Sequence, residues 1–141
     1  MIPHKLPIYI QMEYIKVDDR EPEKIVEILL KNDFKPVKIR MREGDYLWKN
    51  RLIVERKMMD DFCGSIMDGR LKRQADNMKS FEYRVLIIIG DINRRRSNIN
   101  VNCLIGAISS LIVKGINVVF VGNDEQFCFL LKRLIERIRK K

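Results

Sequence analysis

Gly44-Asp45-Tyr46-Leu47-Trp48-Lys49-Asn50-Arg51-Leu52-Ile53-Val54-Glu55-Arg56-Lys57 reads as two short strands joined by a tight turn at Asn50. Along the second strand the side chains alternate, so Ile53, Glu55 and Lys57 share one face while Leu52, Val54 and Arg56 share the other. Glu55 and Lys57 are therefore neighbours, and Asp45 delivers a second carboxylate from the turn ahead of the first strand. Two carboxylates and an ammonium are the minimum for metal-assisted phosphodiester hydrolysis. The oxygens hold a hard divalent cation that polarises the phosphate and acidifies a bound water, and the lysine orients that water or neutralises the developing charge. Alone, an acid and a base two apart on a strand are an ordinary solvated pair worth under ~1 kcal/mol. What surrounds the stretch decides its meaning.

Upstream, Ile15-Lys16-Val17-Asp18-Asp19-Arg20-Glu21 is a strand-like run that ends in acids and an arginine just before a helical segment. Downstream, Asp61 opens a second helical segment that runs through Ser65 to Leu71. Together these segments resemble the nuclease domain of the XPF/Hef family of structure-specific DNA endonucleases, whose signature is G-D-x(n)-E-R-K-x(3)-D preceded by V-D-x-R-E. The matching residues are Val17-Asp18-Asp19-Arg20-Glu21, Gly44-Asp45-Tyr46, Glu55-Arg56-Lys57 and Asp61, followed by Asp68-Gly69-Arg70-Leu71 and Gln74. The resemblance covers roughly Ile15 to the C-terminus.

The resemblance implies a restriction-endonuclease-like core, an α/β domain whose central mixed sheet is flanked by helices. It implies Asp45, Glu55 and Asp18 as metal ligands for Mg2+, with Mn2+ as a substitute. Strand parity does not choose between Asp18 and Asp19; the family's acidic position falls on Asp18. Lys57 positions water or stabilises charge. Asp61 is either a residue behind the ligands or a helix-start acid. Arg20 and Arg56 hold the scissile phosphate or pair with carboxylates. Because Arg56 faces away from Glu55 on a regular strand, a buried ion pair is its alternative role. Arg70 and Gln74, at i and i+4 of one helix, touch DNA. The implied substrate is branched DNA: flaps, forks and junctions of double and single strands. Such nucleases dimerise, as homodimers or heterodimers, and relatives carry helix-hairpin-helix or helicase domains; neither is expected within this chain, so such a partner is expected. Two rivals stand beside the enzyme: a catalytically inactive DNA-binding scaffold subunit paired with an active nuclease, and a basic DNA-binding module without chemistry. The intact acids and Lys57 argue against the scaffold.

The 141 residues, 46% of them hydrophobic, suit one domain with its own core. A net charge of +9 favours an anionic partner, nucleic acid first. Cys63, Cys103 and Cys128 are odd in number, far apart and set among apolar residues, as small hydrophobes in a reducing compartment would be. The apolar run from Cys103 to Val113 is shorter than the ~20 residues of a membrane span. An intracellular protein, in nucleus, cytoplasm or nucleoid, is expected.

Elsewhere, strand and helix patterns alternate. Residues 1–14 are expected to be a tail or an extra strand, and 15–141 the nuclease domain. A helix from Pro22 to about Asn32, a strand over Lys35–Arg42, a helix that breaks at Gly69 and resumes through Leu71–Phe81, and a buried strand at Val85–Ile89 follow in order. A helix over Leu104–Val113, a strand over Asn117–Val121 and a last helix capped by Asn123 complete the chain. That last helix presents Phe127, Leu130, Leu131, Leu134, Ile135 and Ile138 as a wide apolar face, which either completes the core or meets a second subunit. Three lesser candidates are expected to be ordinary: His4 in the tail, Trp48 in the core, and Arg94-Arg95-Arg96 as a solvated loop.

Overall fold

A computed structural model describes residues 12–141, and the expected tail, with His4, lies largely outside them. The chain forms β1 (Glu13–Asp18), α1 (Glu23–Lys31), β2 (Phe34–Ile39), β3 (Tyr46–Trp48) and β4 (Leu52–Met58). It continues through α2 (Met59–Met67), α3 (Arg70–Asn77), β5 (Tyr83–Ile89), a 3-10 turn at Ile92–Arg94, α4 (Val101–Val113), β6 (Asn117–Val121) and α5 (Asp124–Arg139). Glu13 and Tyr14 belong to β1.

Among the described residues one six-stranded mixed sheet runs in the order β2-β1-β3-β4-β5-β6. β1 pairs with β2 in parallel and with β3 antiparallel, β3–β4 is an antiparallel hairpin, and β4, β5 and β6 are parallel. In the hairpin turn Lys49 and Asn50 both take positive φ, which matches the right-handed twist of the flanking strands, and the Arg51 amide donates to the Trp48 carbonyl at 2.9 Å. β2 and β3 follow one another in sequence yet are not neighbours: β1 lies between them, because the α1 crossover places β2 on its outer edge.

The alternation on β4 divides the core. Leu52 and Val54 join Ile15, Val17, Trp48 and Ile87 under α1 and α5, while Ile53 joins Leu86, Ile88, Phe62 and Leu104 under α2, α3 and α4. The continuous apolar run of β5 is buried on both faces, as a central parallel strand requires. Gly69, at φ +81, ends α2 and opens α3, and the resumed helix stops at Asn77, four residues short of Phe81. The Asn123 side chain accepts from the Gln126 amide at 2.8 Å, capping α5 as its spacing predicts.

The apolar face of α5 completes the core. Phe127, Leu131, Ile135 and Ile138 are buried against the sheet, and Leu130 and Leu134 pack at their rim. Leu134 is thus partly taken up by the fold of its own chain. α4 is the reverse case: of its apolar residues only Leu104 and Leu111 are buried, leaving Ile105, Ile112 and Val113 in solvent. No helix among the described residues is long and apolar enough to cross a membrane.

Cys63 and Cys128 are buried and Cys103 is exposed. Burial, with the Asp124 charge next, pushes the Cys128 thiol up to about 12. A thiol reagent should therefore consume one equivalent quickly on the native protein, at Cys103, and three after denaturation. Two fast equivalents without denaturant would contradict this burial pattern.

Candidate active site

The motif acids meet at a polar cleft of roughly 560 Å³ between the ends of β1, β3 and β4 and the flank of α3. Asp45 reaches it because the Gly44-Asp45 segment crosses over β4. The Asp45 amide donates to the Val54 carbonyl at 2.9 Å, and a Cβ on Gly44 would stand 2.9 Å from the Ile53 side chain. Only glycine allows that approach without displacing Ile53. The Arg56 amide in turn donates to Asp45 Oδ2 at 2.8 Å, which orients the carboxylate toward Glu55.

Asp45 and Glu55 stand together, and both carboxyls are held above the usual range. For Asp45 the causes are burial, then the charges of Glu55 and Glu21. For Glu55 burial is the largest cause; the Lys57 ammonium offsets part of it, and the Glu21 charge adds to it. Two acids in one desolvated site resist joint ionisation. A hard cation relieves that repulsion, so the pair suits a divalent metal with oxygen preference that keeps water in its remaining positions.

The expected set of three carboxylates is not assembled. Among the described residues no group of three acidic, histidine or cysteine side chains could hold a metal ion. Asp18, 3% exposed, lines the cleft with its oxygens already engaged. It accepts from Arg20 Nε at 2.8 Å and Nη2 at 3.1 Å, and from the Met41 amide at 2.9 Å. Burial works to raise its pKa, but these hydrogen bonds outweigh burial and hold it below the usual carboxylate range. In this arrangement Asp18 anchors Arg20 and the loop at Met41, whose carbonyl accepts from Arg20 Nη2 at 2.9 Å.

Lys57 is 7% exposed and, among the described residues, makes no hydrogen bond or ion pair. With Glu55 and Gln74 it borders a cavity of about 10 Å³ closed by Leu71, Met78, Leu86 and Leu111. Gln74 faces both this cavity and the cleft, and its buried Oε1 lacks a partner. It is therefore an inward-facing site residue, whereas Arg70, at the start of α3, is outside the cleft lining and bound to Asp68 at 2.6 Å. Asp61 is also outside, exposed in the first turn of α2, where its charge favours the helix dipole.

Arg56 takes the alternative role. Its guanidinium lies on the opposite face from Glu55, largely buried, 2.8 Å from Glu21 and 3.4 Å from Asp124, and it does not line the cleft. Through Glu21 it supports the cleft wall. Residues that the motif reading missed are Glu21, Arg42, Arg73 and Asn77, all lining the cleft. Glu21 was within reach as the last letter of V-D-x-R-E; Arg42, Arg73 and Asn77 come from a loop and a helix face that only the tertiary fold brings round. Arg42 and Arg73 carry no ion pair among the described residues, so two free guanidinium groups flank the acids.

Of the Arg94-Arg95-Arg96 run, Arg95 is structural: it donates to the carbonyls of Ile92 and Ile99 at 2.7 and 3.0 Å. Trp48 is in the core.

The same fold occurs in XPF from Aeropyrum pernix solved in complex with DNA, with a TM-score of 0.79 and 28% identity over 91% of this chain and 66% of that one. XPF from the same organism in another structure gives 0.77 and 27%, over 90% and 69%. A protein of Methanocaldococcus jannaschii that carries the name of an ATP-dependent RNA helicase is 40% identical over 95 residues. Those residues are 67% of this chain and only 12% of that protein. The family model described as the ERCC4 domain matches residues 17–134, a span that starts one residue before Asp18 and contains Asp45, Glu55, Lys57 and the whole cleft. With its motif acids gathered on an XPF-like sheet inside that span, the chain belongs to the ERCC4 domain family.

Proposed function

We propose that this domain is a metal-dependent endonuclease that hydrolyses phosphodiester bonds in DNA near branch points, at flaps, forks and junctions of double and single strands. The observation that carries the reading is the Asp45–Glu55 carboxyl pair in a cleft flanked by Arg42 and Arg73, with the unpaired, buried Lys57 next to Glu55 behind the cleft wall. A Mg2+ or Mn2+ ion held by Asp45 and Glu55 would supply Lewis acidity to the scissile phosphate and an acidified water. The chain's own groups do the rest. Arg42 and Arg73 bind the backbone phosphates on either side, and the Lys57 ammonium faces the negative charge that develops during attack. Burial of Glu55 and Lys57 excludes bulk water and strengthens both interactions.

The test is incubation of the protein with labelled flap, fork and plain duplex DNA in magnesium, manganese or chelator. Metal-dependent cuts that follow the branch when it is moved along a constant sequence support the reading. Cuts that stay with the sequence overturn branch recognition, and metal-independent binding without cleavage favours a scaffold subunit. Lys57→Ala should lower turnover by ~100-fold or more while fork affinity in chelator stays unchanged. Unaltered turnover would make Lys57 a buried structural lysine.

A dimer, of two copies or with a related chain, is part of the same proposal. Its face is the outer side of α4, where Ile105, Ile112 and Val113 are exposed, next to the edge strand β6 with Phe120. Ile112→Glu should convert a sedimenting dimer to a monomer that keeps the parent's circular dichroism spectrum. A monomeric parent at high concentration rules the homodimer out. A helicase or helix-hairpin-helix partner would add junction affinity to that of this domain.

A further inference from the structure

We infer that the uncovered sheet face beside the cleft is a platform for the single-stranded arm of the substrate. α2, α3 and α4 cover this side of the sheet over β4, β5 and β6 and bury Leu47 of β3, whereas over β1 and β2 its side chains stay exposed, Asp18 at the cleft apart. Strand parity and pairing fix what that face presents: Tyr14 and Lys16 of β1, and beside them Lys35, Val37 and Ile39 of β2. Tyr14 of β1 and Val37 and Ile39 of the edge strand β2 are 59%, 45% and 46% exposed, high for apolar and aromatic side chains on a sheet face. A groove of about 280 Å³ is lined by Tyr14, Lys16, Val37 and Leu47 and bordered by Lys49.

Charge selects the occupant. Lys16, Lys35 and Lys49 have no carboxylate partner among the described residues, and the one acid at the groove, Glu13, is neutralised by Arg139. Lys35 Nζ lies 5.5 Å above the Tyr14 ring, a weak contact that an incoming base displaces or sandwiches. An exposed ring among unpaired lysines, on a flat face, binds a strand whose bases are free to stack and whose phosphates need cations. Paired duplex offers no free base face to such a ring.

Position ties the platform to the cleft. Lys16 and Tyr14 lie on the same face of β1 as Asp18, two and four residues back, or about 7 and 13 Å at the strand rise. The path from cleft to Tyr14 is thus about four nucleotides at a stacked spacing of ~3.4 Å. The inference rests on the nuclease reading for its substrate, but its test does not depend on cleavage.

Fluorescence anisotropy in chelator compares a fork bearing single-stranded arms with the same duplex lacking them. The parent should bind the fork more tightly. Tyr14→Ala with Lys16→Ala should weaken fork binding on the order of tenfold and leave duplex binding unchanged, while Tyr14→Phe, which keeps the ring, stays near the parent. Equal loss on both DNAs, no loss on either, or a parent indifferent to the arm overturns the platform. Ultraviolet cross-linking of a bromouracil-bearing arm to the parent gives a reading without variants: adducts on β1 or β2 support the platform, and adducts confined elsewhere overturn it. A chain that binds the arm there but never cuts defeats the nuclease reading alone; one that cuts but ignores the arm defeats the platform alone.

Discussion

Asp45→Asn and Glu55→Gln are each expected to reduce cleavage by on the order of 10³-fold or more, which corresponds to ~4 kcal/mol of lost transition-state stabilisation, and at the same time to raise the melting temperature measured in chelator. The two effects share one cause. Asp45 and Glu55 are adjacent, desolvated acids, each destabilised as an anion by its burial and by nearby negative charge. An amide of the same shape removes that repulsion, and in Asp45→Asn the side-chain carbonyl still accepts from the Arg56 amide, which now donates to Asp45 at 2.8 Å. Gaining stability while losing function marks a site kept charged for its chemistry. Magnesium should raise the melting temperature of the parent and have little effect on either variant, because a ligand that binds only the folded state stabilises it in proportion to its occupancy. Full cleavage by either variant would remove that residue from the site. A fall in melting temperature in chelator would show that the carboxylate is structural.

How far this site could be read from the sequence depends on the range over which each feature is determined. The two faces of β4 follow from strand geometry alone, so the separation of Glu55 and Lys57 from Arg56 was legible, as were the Gly69 break and the Asn123 cap. Each depends on residues within one turn or one strand. The order of the strands was not legible, because the insertion of β1 between β2 and β3 is decided by where the α1 crossover packs. The same limit applies to the cleft wall: Arg73 and Asn77 are ordinary helix residues until α3 docks beside β4. Nor does periodicity say what covers an apolar face. α5 and α4 both carry one, yet α5 is used up in the core while much of α4 is left in solvent. Asp18 illustrates a third case: the motif locates the acid correctly at the cleft, but whether its lone pairs are free depends on Arg20 folding back two residues later.

Arg56→Ala is the second large effect expected, and it is a loss of stability before it is a loss of activity. The guanidinium is buried between Glu21 at 2.8 Å and Asp124 at 3.4 Å, and Asp124 also meets Lys24 at 3.0 Å near the start of α5. Truncation strands Glu21 as a buried anion beside Asp45 and Glu55, whose charges it already opposes. Breaking one side of a buried pair costs ~3–5 kcal/mol, a fall of roughly 10 °C or more for a domain of this size. Arg56→Lys should recover only part of it, since an ammonium cannot reproduce the planar fork. Adding Glu21→Gln and Asp124→Asn to Arg56→Met should restore much of the lost stability, because no buried charge is then left unpaired and Lys24, which loses Asp124, is mostly in solvent. If Arg56 instead gripped the scissile phosphate directly, Arg56→Ala would melt near the parent temperature and lose turnover alone. That outcome would place its side chain in the cleft and contradict the orientation of β4 on which the whole site is built.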